Sequence, residues 1–315
     1  MKAVRFHEFG DPDVLRYEDV DRPAPGAGEV RLRVAATSFN QVDGGIRGGY
    51  LQDPFPVTLP HTPGIDVAGT VDALGDGVQN LSVGDAVVAF LSMTADGAAA
   101  EYLITPADVL APAPTGIPLA DAAAFPMVGL TAWQALFDDA GLEAGQRVVV
   151  NGAGGAVGGY AVQLAKRAGA HVIATASPRS AERVAAAGAD EVIDHTTTAV
   201  GEAVAEPVDV LLNLARIAPE ELEALVASVK SGGVVVNTVP TIPTTGDEAR
   251  DVRAVGVFVR SDAEQLAQLT ELVDRGELRV DVAQRVPLAE LPAVHAKGDA
   301  GELSGKVVVV VENDR

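Results

Sequence analysis

The segment VVVNGAGGAVGGYAVQLAKRAGAHVIATAS restricts the fold of this 315-residue chain more than any other. A β-branched run ends at Asn151, glycines follow, and an amphipathic stretch then puts Val157, Ala161, Leu164 and Ala165 on one face. A second apolar run begins at His171. Strand, glycine turn, helix and strand in that order make a β-α-β unit suited to phosphate. A diphosphate must approach backbone N–H groups at the helix start, where a Cβ would stand in its way. The expected cradle is therefore Gly152, Ala153, Gly154, Gly155, Ala156, Val157 and Gly158. It departs from strict G-x-G-x-x-G, because Val157 takes the last glycine place and Gly158 follows it.

Further Val- and Ile-rich runs lie at 190–194, 208–215, 233–239 and 254–259, with helical stretches fitting 156–169, 180–187, 219–229 and 262–275. Near-continuous apolar strands are buried on both faces, so the fold class is α/β with a doubly wound parallel Rossmann sheet. Before about Ala111 the texture differs: alternation over Val30–Ala35 and turns at PAPGAGE, LGDG and SVGD predict a mainly β half. The tail is strand-rich again at GKVVVVVE and is expected to return to that half. A chain of this length favours two domains, and 48% hydrophobic residues can fill both cores. The expected division is 1–123 completed by 261–315, and 124–260.

Cofactor choice turns on the end of the second strand, where an NAD-selective unit places an acidic residue about 20 positions on. Here ATASPRSAER puts Ser177 and Arg179 there, with Arg183 one turn further. Hydroxyl and guanidinium groups bind a 2′-phosphate that a carboxylate would repel, which favours NADP(H). The alternative, two arginines on a solvated helix start, stays open. Asn213 and Asn237 end strands at the carboxyl edge of the sheet, where open α/β folds bind ligands, and either is a candidate contact to nicotinamide or ribose.

The remaining inventory narrows the chemistry. Twenty-three Lys and Arg against 44 Asp and Glu leave a formal charge of −21, a field that repels nucleic acid and anionic membranes. There is no cysteine, and the five histidines at 7, 61, 171, 195 and 295 include no pair at ligand spacing, so no metal is expected. Neither G-x-S-x-G nor S-x-x-K occurs, and no Tyr has a Lys four positions later. What is left is chemistry carried by the cofactor, with the protein orienting and polarising. The opening MKAVRFHEFG has no basic-then-apolar leader pattern, and no window reaches the roughly 20 apolar residues of a spanning helix, so a cytoplasmic protein is expected.

TSFNQVDGGIRGGY and FPVTLPHTPGIDVAGTVDALGDGVQNLSVGDAVVAF resemble the N-terminal domain of zinc-free quinone oxidoreductases of the medium-chain dehydrogenase/reductase superfamily. The resemblance continues through GAAAEYLITPADVLAPAPTGIPLADAAAFPMVGLTAWQAL, the glycine turn, AAAGADEVIDH and the terminal GKVVVVV, in order and over nearly the whole chain. It implies that the first half is a GroES-like catalytic domain. Where zinc-dependent relatives carry a Cys and a His ligand, this chain looks to have Asn40 and Ile65. By the same resemblance Asn40 and Asp43 line the site near the nicotinamide, Arg47 belongs to their motif, and Thr131 contacts cofactor. Asn40 is read either as a donor to a substrate carbonyl or as an Asn satisfying loop backbone. Tyr50 is read either as a proton donor or as pocket wall, and Gln41 is a mild departure from the family pattern. The implied substrate is a small quinone or enone. A homodimer is implied too, through an edge strand near 254–259, unless the following helix caps that edge.

Overall fold

The computed structural model describes residues 1–311. The chain forms two compact units, one from Met1–Met127 with the chain from Ser261 onward, the other Val128–Arg260.

The second unit holds a six-stranded sheet ordered Glu191–Asp194, His171–Ala176, Arg147–Asn151, Val208–Asn213, Val229–Asn237 and Arg253–Gly256. Every neighbouring pair is parallel. Chain order reverses between Arg147–Asn151 and Val208–Asn213, the switch point at whose carboxyl end such sheets bind ligands. Burial on both faces explains the unbroken apolar runs: Val148, Val149, Val150, Leu211 and Val235 are all inaccessible. The helix expected over 156–169 forms as Ala156–Arg167. It stops there because Gly169 takes φ +85°, a conformation that a side chain resists. The strand expected over 254–259 ends at Gly256, and the one expected at 233 begins at Val229.

In the first unit the main sheet runs Gln284–Pro287, Val307–Val310, Glu29–Ser38, Asp66–Leu74, Ala86–Phe90 and Ala111–Pro112, with Tyr102–Pro106 also paired to Glu29–Ser38. Lys2–Phe6 and Leu15–Asp19 form a separate antiparallel pair. The tail does return here: Val307–Val310 lies antiparallel to Glu29–Ser38, with Val308 opposite Ser38. That register sets Lys306 beside residues 38–40, and it decides the site below. The helix expected over 262–275 forms as Ala263–Asp274 and belongs to this unit, where Asp274 accepts the N–H groups of Thr115 and Gly116 at 2.7 and 2.8 Å. Among the described residues no helix is long and apolar enough to cross a membrane.

Candidate active site and dinucleotide cradle

The helix Gln41–Arg47 begins just after Asn40. Asp43, in its first turn, accepts the Asn40 N–H at 2.9 Å and the Gly64 N–H at 3.3 Å, fastening the helix start to the 60s loop. Burial pushes the Asp43 carboxyl up to about 7 and nearby Asp66 adds to this, while the two N–H donors and Lys306 act against it. With its backbone N–H satisfied by Asp43, the Asn40 side chain is free to point elsewhere. Its Nδ2 donates to Asp66 Oδ2 at 2.8 Å, and its Oδ1 accepts from the Lys306 ammonium.

Asp66 is inaccessible and Lys306 is 4% exposed. Around the Asp66 carboxylate gather Ser38 Oγ at 2.6 Å, Asn40 Nδ2, Lys306 Nζ at 3.1 Å and the Met127 N–H at 2.8 Å. Such saturation is what a buried charge requires. Arg47, from the same motif, is only 2% exposed and reaches the carbonyl of Gly10, Nδ1 of His295 and the carboxylate of Asp299, tying its helix to Leu291–Asp299. Tyr50 sits outside this hydrogen-bonded group, 82% exposed, with its ring over Gly48.

In the second unit the glycine turn is shaped by contacts that exclude side chains. A Cβ at Gly158 would come within 2.5 Å of the Ala153 Cα, so the residue one place beyond the expected glycine is the one that lets the helix pack onto the turn. At Gly154 a Cβ would meet Ser180 Oγ at 2.5 Å. Gly155 is exposed at the N-cap, with Ala156 and Val157 half-buried behind it in the first helical turn. The N–H groups of that turn have no carbonyl four residues back, which makes the helix start a cradle for an anion. Ala153 is buried beneath it, whereas the Gly152 N–H is already committed to Thr175 Oγ1 at 2.8 Å.

The three residues read for a 2′-phosphate take different places. Ser177 contacts Ser180, whose hydroxyl accepts the Ser177 N–H at 3.2 Å. Arg183 donates to the Gly154 carbonyl at 2.5 Å, bracing the turn. Arg179 is exposed and holds no hydrogen bond or ion pair among the described residues. Thr131 is buried in the helix Pro126–Trp133.

Asn213 and Asn237 are in register with each other and with Asn151. Their amides interlock in one direction across the sheet. Thr175 Oγ1 donates to Asn151 Oδ1 at 2.9 Å, Asn151 Nδ2 to Asn213 Oδ1 at 2.8 Å, and Asn213 Nδ2 to Asn237 Oδ1 at 3.0 Å. Asn237 Nδ2 closes the row on the carbonyls of Val239 and Ile242 and on Thr244 Oγ1. The row thus links the glycine turn to the loop after Asn237, and the asparagines expected to face a ligand spend their amides on one another.

Residues 26–115 match the model of the alcohol dehydrogenase GroES-like domain, and residues 187–309 that of the zinc-binding dehydrogenases. The chain is 34% identical to the chloroplast envelope quinone oxidoreductase homolog of Arabidopsis thaliana, over 98% of each chain. It belongs to the quinone oxidoreductase branch of the medium-chain dehydrogenase/reductase superfamily. Among solved structures this oxidoreductase resembles an NAD-dependent alcohol dehydrogenase, with TM-score 0.90, 30% identity, and 99% and 100% of the two chains covered. It also resembles a mycobacterial protein complexed with NADPH, with TM-score 0.84, 29% identity, and 98% and 100% covered. One matching model describes zinc-binding dehydrogenases; at the two positions that the resemblance sets against zinc ligands stand Asn40, tied to Lys306, and a buried Ile65.

Sequence reasoning missed Asp66 and Lys306 as partners of Asn40, Ser180 as the neighbour of Gly154, and the row formed by Thr175 and Asn151. A signal for the row was present: Asn151, Asn213 and Asn237 each close an apolar run. For Lys306 the only trace was a lysine directly before five valines.

Proposed function

We propose that this oxidoreductase uses NADPH to reduce a quinone or another α,β-unsaturated carbonyl acceptor, without zinc. The observation that carries this reading is Asn40, an uncharged amide at a metal-ligand position, with one Nδ2 hydrogen on Asp66 and none of the described residues accepting the second. NADPH, when bound, supplies a hydride to the electron-poor carbon of the acceptor. The remaining Asn40 N–H stabilises negative charge that develops on the acceptor oxygen, and water provides the proton that completes reduction. Gly154, Gly155 and the helix start after them hold the diphosphate, and Ser177 and Arg179 hold the 2′-phosphate. The glycine turn that opens the helix Ala156–Arg167, whose first N–H groups lack helical acceptors, supports dinucleotide binding, and the absence of a carboxylate at 177–180 supports NADPH over NADH.

The direct test is oxidation of NADPH and NADH with a panel of simple quinones, enones and enoyl thioesters. Turnover that survives a chelator and prefers NADPH is expected. Activity abolished by the chelator and restored by zinc refutes the metal-free reading, and a ratio favouring NADH refutes the cofactor assignment.

The reading includes a homodimer through Arg253–Gly256, the last strand of the parallel sheet, which leaves one side unpaired within its sheet, with Phe258 72% exposed just beyond it. Sedimentation at twice the monomer mass, reduced to the monomer by Phe258→Glu, is the expected result.

A further inference from the structure

The Lys306 ammonium has three hydrogens and three acceptors: Asn40 Oδ1, Asp66 Oδ2 at 3.1 Å and the Phe39 carbonyl at 3.3 Å. Lysine and carboxylate are both withdrawn from solvent, at 4% and 0% exposure. Apolar residues of equal volume usually stabilise a core as well as or better than a buried ion pair, so stability alone gives no reason for one here. Its position gives one. The two ends of an asparagine amide are nearly alike in shape, and hydrogen-bond partners decide which end faces which way. Turning Asn40 over would set its NH2 against an ammonium and its oxygen against a carboxylate. With the cation on Oδ1 and Asp66 on Nδ2, a single orientation is allowed.

The cation also changes what the amide can do. An ammonium on the oxygen draws electron density along the amide, and in a low-dielectric pocket this polarisation strengthens the N–H groups as donors. Asp66 takes one Nδ2 hydrogen, and the other has no acceptor among the described residues. From these contacts we infer that Lys306 is a positioning residue which fixes the Asn40 amide and strengthens its second N–H as a donor, so that Asn40 polarises the acceptor carbonyl. The inference rests on the role given to Asn40 above. Lys306 touches no substrate in this scheme and acts only through Asn40.

Its test reads polarisation directly. The protein is loaded with NADP+, so that no turnover occurs, and the carbonyl stretch of bound 2-cyclohexen-1-one is followed by difference infrared spectroscopy. The stretch is expected at lower wavenumber in the wild type than in water. It returns toward the water value in Lys306→Gln with Asp66→Asn, a neutral pair that keeps polar atoms at both positions. In that variant kcat falls about tenfold, a fraction of the loss seen when an oxyanion donor itself is removed, while KM for the enone and the affinity for NADP+ hold. Lys306→Arg, which keeps the cation, retains most of the shift. Should the pair fail to fold, Lys306→Gln alone replaces it, since Asp66 keeps Ser38, Asn40 and Met127 as donors. An unchanged stretch and kcat in the neutral variants overturns the role of Lys306. If Asn40→Leu leaves the wild-type stretch intact, the reading of Asn40 falls as well, whereas loss in Asn40→Leu with retention in the lysine variants sinks the lysine inference alone.

Discussion

Asn213 donates from Nδ2 to Asn237 Oδ1 at 3.0 Å, and both residues are withdrawn from solvent, at 0% and 2% exposure. The pair ends a row in which Asn151 and Asn213 each accept from the strand on one side and donate to the strand on the other, and Asn237 donates to the loop that follows it. Asn213→Leu keeps the volume but leaves the Asn151 donor without its acceptor, while Asn237 Oδ1 keeps the Val239 N–H at 3.1 Å. An orphaned buried group costs about 1–3 kcal/mol, so a loss of about 1–3 kcal/mol in denaturant unfolding is expected. A loss below about 0.5 kcal/mol, the range of an ordinary surface change, contradicts a structural role for the row.

The arginines after the second strand separate by cofactor. Arg179 has no partner among the described residues, so Arg179→Ala is expected to raise KM for NADPH about tenfold, the scale of a lost charge-assisted bond, and to leave KM for NADH unchanged. Arg183 braces the turn through the Gly154 carbonyl, so Arg183→Ala weakens both dinucleotides. Steady-state kinetics with the two cofactors decides it.

Glycines of the cradle differ in what opposes a methyl group. At Gly158 the obstacle is backbone, the Ala153 Cα at 2.5 Å, so Gly158→Ala shifts the turn and lowers both melting temperature and NADPH affinity. At Gly154 the obstacle is the Ser180 side chain. Ser180→Gly is therefore expected to recover dinucleotide binding in Gly154→Ala but not in Gly158→Ala, as read by fluorescence titration.

Asp43 predicts a pH dependence of stability. Its folded carboxyl, raised from 3.8 to about 7, holds a proton that the unfolded chain has released. Unfolding therefore releases a proton, and the contribution of this group to stability declines as pH rises across that window. Asp43→Asn removes the decline. Chemical denaturation at stepped pH, comparing the two proteins, is the measurement, and parallel profiles contradict the assignment.

His295 acts in the opposite sense. Burial, with Arg47 beside it, lowers its imidazole from 6.5 to about 3, and the neutral ring accepts the Arg47 N–H at Nδ1, 3.3 Å away. The unfolded chain binds the proton first, so stability present above pH 6.5 is lost progressively as pH falls toward about 3. His295→Gln, which can still accept from Arg47, is expected to flatten this acid limb in the same titration.

The sequence by itself determined the parallel sheet, because strands buried on both faces must be apolar throughout and the glycine turn allows little but a phosphate-binding β-α-β unit. It also determined that no cysteine is available as a ligand or nucleophile, since residue identity alone carries that fact. Tertiary structure decided who stands beside Asn40: Lys306 is 266 residues away along the chain and arrives through the pairing of Val307–Val310 with Glu29–Ser38. Local periodicity carries no trace of such a register, because strand pairing is fixed by the hydrogen-bond ladder and by burial of the whole sheet. The same holds for the asparagine row. Each Asn was visible as the end of an apolar run, but only the in-register alignment of parallel strands turned three separate candidates into one chain of amides.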